Sequence, residues 1–103
     1  MLGDLEIEHL AVMRKLKKAN CRQVMGELSK KRNLAYTTIS TTLKRLYKKG
    51  YLEREIQSKR GGKNYVYIFK DTTKKFAKSL FDEFVYIFGR DAVNAFFSEA
   101  RKR

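Results

Sequence analysis

The chain has 103 residues, with 24 Lys and Arg against 11 Asp and Glu, a formal net charge of +13, and 43% hydrophobic residues that include six Tyr and seven Phe. This suits one small domain or a domain with an appendage, and its apolar content excludes a disordered basic tail. No apolar run approaches the ~20 residues of a membrane span, the opening residues lack a signal-peptide pattern, and one cysteine excludes an intrachain disulfide, so a cytoplasmic protein is expected.

Leu5, Val12, Met13 and Leu16, with His9 among them, form a helical stripe over about residues 4–17. Asp4 is the expected N-cap, Glu6 and Glu8 suit the helix's positive end, and Arg14 and Lys15 its negative end. Asn20 opens a second short helix. Gln23 stands three residues later, the spacing of a capping box, and Val24, Met25 and Leu28 form the apolar face.

A third helix is expected over residues 36–49, with Gly50 as its stop. At 100° per residue, Ile39, Leu43 and Leu46 gather on one side. Thr37, Thr41, Lys44, Arg45 and Lys48 occupy the other, with Thr38 and Ser40 at its margins. The exposed face thus carries short hydroxyls near its start and long cations near its end.

After Gly50 the pattern alternates. Residues 51–57 read as a strand, 58–64 as a turn and 65–69 as a second strand, giving a hairpin with the basic tip Lys59, Arg60 and Lys63. A long helix over residues 73–88 presents Phe76, Leu80, Phe81, Phe84 and Phe88, and Gly89 breaks it. Asp91 is the expected cap of a last short helix that carries Phe96.

Charge and grease separate along this order. Residues 1–70 hold 17 basic and 6 acidic side chains, a net +11, whereas residues 71–103 hold 7 and 5 and six of the seven phenylalanines. A strongly basic front works against its own compactness unless a polyanion offsets it, which points to nucleic acid. The aromatic end exceeds what a small basic domain buries and points to a second copy of the chain.

Three helices followed by a hairpin is the order of a winged helix-turn-helix, so the expected class is α+β, mostly α, with a DNA-binding domain over residues 1–70 and a helical dimerisation region over 71–103. A helix fits the major groove, where Thr and Ser hydroxyls meet base edges and Lys and Arg meet phosphates. The expected DNA-binding residues are Thr37, Thr38, Ser40, Thr41, Lys44, Arg45 and Lys48 on the third helix and Lys59, Arg60 and Lys63 on the wing. Phe76, Leu80, Phe81, Phe84, Phe88 and Phe96 are the expected dimer seam.

The stretch from Leu34 to Leu52, with Thr37-Thr38-Ile39-Ser40-Thr41-Thr42-Leu43-Lys44-Arg45-Leu46 at its centre, resembles the recognition-helix signature of the penicillinase-repressor family, which also contains the methicillin-resistance and copper-transport repressors. Residues 2–13 resemble its first helix, and Gln23-Val24-Met25 stands where its second helix lies. The resemblance implies a winged-helix homodimer that represses transcription from palindromic operators, with Thr37, Thr38, Ser40 and Thr41 at the bases and Arg45 toward the backbone. The chain departs from the copper-responsive branch in having Cys21 alone instead of a C-terminal cysteine pair. It departs from the β-lactam-responsive branch at Phe96-Phe97-Ser98-Glu99, which lacks the Asn-Phe cleavage pair.

The competing reading is an architectural protein that coats DNA with little sequence preference, for which cations alone suffice. RNA binding is less suited, because Tyr65 and Tyr67 fall on one strand face and pack there instead of stacking on bases. One histidine and no paired carboxylates or nucleophile–base arrangement argue against an enzyme, and no metal or cofactor is expected.

Overall fold

The computed structural model describes residues 2–59 and 62–103, excepting the side chains of Lys59 and Lys63. The element order is α1 (Asp4–Leu16), β1 (Lys18–Asn20), α2 (Cys21–Leu28), α3 (Tyr36–Lys48), β2 (Leu52–Lys59), β3 (Gly62–Phe69), α4 (Thr73–Phe88), a 3-10 turn (Arg90–Ala92) and α5 (Val93–Arg101). The chain divides into two compact units, Leu2–Asp71 and Thr72–Arg103.

In the first unit, three helices pack on a three-stranded antiparallel sheet of order β1-β3-β2. Gly3, not Asp4, caps α1: its N–H donates to Glu6 Oε1 at 3.1 Å, and Asp4 lies inside the first turn. Lys17 takes φ 70° and turns the chain into β1, held there by a 2.8 Å bond from the Phe69 N–H to its carbonyl. Asn20 and Gln23 form the expected capping box, with two reciprocal 2.9 Å bonds.

The stop of α3 is a Schellman motif. The Gly50 N–H donates to Tyr47 O at 3.0 Å and the Tyr51 N–H to Leu46 O at 2.9 Å. This closure needs a positive φ, which Gly50 supplies at 85° without a Cβ clash.

Met13, Val24, Leu28, Ile39, Leu43, Leu46, Leu52 and Tyr67 fill the core, and His9 is fully enclosed with them. Leu46 at the end of α3 and Leu52 at the start of β2 are both buried, so the base of the hairpin is part of the same core as the helices.

Two strand features differ from the sequence reading. β1 was not expected; it forms by pairing Lys18 with Ile68, Ala19 with Tyr67 and Asn20 with Val66. The hairpin is also longer than expected, since β2 and β3 stay paired out to Lys59 opposite Gly62, through most of the segment read as a turn.

In the second unit, α4 and α5 bury no residue fully. Their contact is aromatic: Phe84 lies 5.2 Å from Phe88 and 5.4 Å, edge-on, from Phe96, and Phe96 lies 6.3 Å from Phe97. Ala92, not Asp91, caps α5, and Asp91 sits within the 3-10 turn instead. No helix among the described residues is long and apolar enough to cross a membrane.

Candidate nucleic-acid interface

α3 separates its two faces as its periodicity requires. Ile39, Thr42, Leu43 and Leu46 are buried. Thr42 is a core residue despite its hydroxyl, because that group donates back to Thr38 O at 2.7 Å and so needs no solvent. Thr37, Thr41, Lys44, Arg45 and Lys48 are exposed, and Thr38 and Ser40 are half-buried.

Ser40 also borders the interior: its side chain and that of Tyr36 lie beside the buried thiol of Cys21, the first residue of α2. Burial pushes that thiol's pKa up, against the smaller opposing pull of those two hydroxyls. Cys21 is thus a buried thiol at the start of α2, facing the first turns of α3.

Four acids of this unit pair with cations other than Lys44, Arg45 and Lys48 of α3. Glu6 pairs with Lys49 at 2.9 Å and Glu8 with Arg32 at 2.9 Å. Glu27 takes Lys15 at 2.9 Å and Lys30 at 3.3 Å, and Glu55 takes Lys18 at 3.1 Å across the sheet. Burial pushes the Glu6 carboxyl up, but Lys49, the Gly3 N–H and the nearby charge of Arg45 together hold it below the usual glutamate value. Among the described residues, Lys44 and Lys48 meet no carboxylate. The result is a helix face of hydroxyls followed by uncompensated positive charge.

The wing adjoins that face through Arg54, which sequence reasoning missed. Its guanidinium carbon stands 4.1 Å from the ring centroid of Tyr47, in the last turns of α3, and 4.1 Å from that of Tyr65 on β3. It also stands directly opposite buried Tyr67 in the register, close enough that its charge bears on that phenol. Tyr65 and Tyr67 share a strand face, 6.4 Å apart, and both are packed. Alternation alone puts Arg54 and these tyrosines on matching faces, but their meeting depends on a register that only the folded hairpin supplies.

By backbone register Lys59 and Lys63 stand at the far end of the hairpin, Lys63 opposite Ser58. Their side chains, and Arg60 altogether, lie outside the described residues. Among the described residues no three His, Cys, Asp or Glu side chains gather as metal ligands.

In the second unit Phe76, Leu80, Phe81, Phe84 and Phe96 are half-buried and Phe88 is exposed. Tyr86, Ile87 and Phe97, which the stripe did not include, are exposed as well, Tyr86 at 92%.

Comparison with known proteins agrees with this geometry. A family model described as Penicillinase repressor matches residues 2–102. No curated protein matches the chain. Among solved structures, the DNA-binding domain of the repressor BlaI is 34% identical, covering 71% of this chain and 84% of that one, with a TM-score of 0.57. A PadR family transcription regulator from Clostridium difficile is 19% identical over 92% of this chain and 99% of that one, with a TM-score of 0.58. A mutant MarR from E. coli, solved with operator DNA, is 15% identical over 98% and 74%, with a TM-score of 0.55. The last two show the shared winged-helix fold. With the recognition-helix signature, the winged-helix unit and a family match over nearly its whole length, the chain belongs to the penicillinase-repressor family of DNA-binding transcriptional regulators.

Proposed function

We propose that the protein is a homodimeric repressor that reads a palindromic operator, acting in the cytoplasm as a binding protein and not as an enzyme. The observation that carries this reading is the outer face of α3, where exposed Thr37 and Thr41 precede exposed Lys44, Arg45 and Lys48. In the major groove the hydroxyls of Thr37, Thr38, Ser40 and Thr41 bond base edges, and the Thr methyls pack on thymine. Lys44, Arg45 and Lys48, with Lys59, Arg60 and Lys63 of the wing, bond phosphates, which fixes register without reading sequence.

Residues 71–103 supply the dimer contact in this reading. It is supported by the aromatic surface of α4 and α5, where Phe88 is 63% exposed and no residue is fully buried. A two-fold pair of winged helices then meets two half-sites spaced by whole turns of the duplex.

Selection of bound duplexes from a random pool tests the proposal. A palindromic consensus is expected. Retention of DNA without enrichment would favour the architectural reading, to which the +11 charge of residues 1–70 also lends support.

A further inference from the structure

The geometry points to Arg54 as a positioning residue that locks the wing to the recognition helix, so that base reading by α3 and phosphate contact by the wing occur on one duplex at once. This rests on the function proposed above.

The wing is joined to α3 at two places. One is the covalent link through Lys49, Gly50 and Tyr51, backed by buried Leu46 and Leu52. The other is the clamp, in which Arg54 of β2 stands 4.1 Å from the Tyr47 ring of α3 and 4.1 Å from the Tyr65 ring of β3, opposite Tyr67 in the register. A planar guanidinium suits this place because it stacks on aromatic faces and still donates from its edge; an ammonium does not do both. With a ring 4.1 Å away on each of two elements, the half-buried guanidinium is already engaged at the junction of helix and wing. Its effect on DNA therefore passes through the wing.

The leverage is large. Five residues separate Arg54 from Lys59, about 16 Å of strand at ~3.3 Å per residue. A rotation of about 10° at the base then moves the tip by about 3 Å, more than the tolerance of a charge-assisted hydrogen bond. Without the clamp the wing cations sample positions off the backbone, and the entropy of ordering them falls on binding.

The test is a set of double-mutant cycles on the full chain with a duplex selected from a random pool, variants first checked for folding by circular dichroism. Arg54→Ala is expected to weaken binding about 5–10-fold and to make the salt slope shallower by about one to two units. In that background Lys63→Ala should cost less than twofold more, because the wing contact is already lost, whereas Thr41→Ala should retain its full factor. Tyr47→Leu removes no charge and should reproduce the Arg54→Ala losses, and Tyr47→Phe should restore wild-type affinity and slope. Should Arg54→Ala fail to fold, Tyr47→Leu carries the same cycles. If Arg54→Ala and Lys63→Ala multiply independently, or if Tyr47→Leu leaves affinity and slope unchanged, the clamp role is overturned while the proposed function stands. Absence of DNA binding by the wild type overturns both.

Discussion

Lys49 Nζ lies 2.9 Å from each carboxylate oxygen of Glu6, tying the end of α3 to the first turn of α1. The Glu6 side chain is 12% exposed but that of Lys49 is 43% exposed, so water screens the contact as it does in a surface pair. Glu6→Gln should cost about 1 kcal/mol, a fall of roughly 4–8 °C in Tm for a domain of this size. A carboxylate held below its usual pKa stabilises the fold above that usual value and stops doing so as pH falls through the lowered one. Thermal melts from neutral to strongly acidic pH should therefore show the variant's deficit shrinking with acid, and a deficit independent of pH would contradict it.

His9 weakens the fold in the same direction of pH, in a higher window and for a different reason. Burial pushes its pKa down, only partly offset by the Leu5 carbonyl and the nearby Glu8. The ring's Nδ1–H donates to Leu5 O at 2.8 Å, and Nε2 has no hydrogen-bond partner. The unfolded chain then binds the proton more readily, so stability should fall as pH drops through about 6.5 toward the lower folded value. His9→Leu should flatten the unfolding free energy between about pH 7.5 and 5 in denaturant titrations. An unchanged slope would show that the wild-type imidazole is not the group responsible.

The two faces of α3 should answer differently to mutation. Leu43→Ala, in the core, should cost about 2–5 kcal/mol of stability. Thr41→Ala should leave melting almost unchanged and cost about 1–3 kcal/mol of binding on the preferred duplex, with little loss on a scrambled one. Equal loss on both duplexes would mean that α3 holds DNA without reading it.

Affinity should fall steeply with salt. If a dimer engages roughly six to ten phosphates, the log–log slope lies near −5 to −9. Lys48→Ala should make it shallower by about one and weaken both duplexes alike. A wild-type slope shallower than about −2 would separate the charge of this unit from DNA binding.

Phe88 stands outside the Phe84–Phe96 contact in its exposure, though it touches Phe84 at 5.2 Å. Phe88→Glu should keep helical content but give the monomer mass in light scattering at micromolar concentration, with operator affinity reduced at least tenfold. A wild-type protein that is itself monomeric there would remove the role given to α4 and α5.

What could be read in advance follows from the range of the interactions. The faces of α3 were legible because one helix period sets them, and the Asn20–Gln23 cap because both partners lie three residues apart. β1 was not, since Lys18-Ala19-Asn20 has no strand pattern and owes its conformation to β3, far along the chain. Arg54 escaped notice because its partners come from two other elements, α3 and β3. Asp91 was a sound cap by composition, but the tight turn after Gly89 moved the helix start one residue on. At Ser40 the helical wheel placed the hydroxyl at the margin, and only tertiary packing brought it to Cys21.

The short strand between the first two helices also bears on how the domain comes into being. β3 is the central strand of the sheet, and β1 joins it from the opposite end of the unit, pairing Lys18 with Ile68. Closing that long loop costs chain entropy before any ladder bond is returned. A growing polypeptide can therefore wind its early helices while it is being made, but it cannot lock them until Phe69 has left the ribosome. The helix proposed to read DNA is synthesised before β3, so a message truncated within the hairpin would yield a chain carrying α3 without the central strand of its sheet.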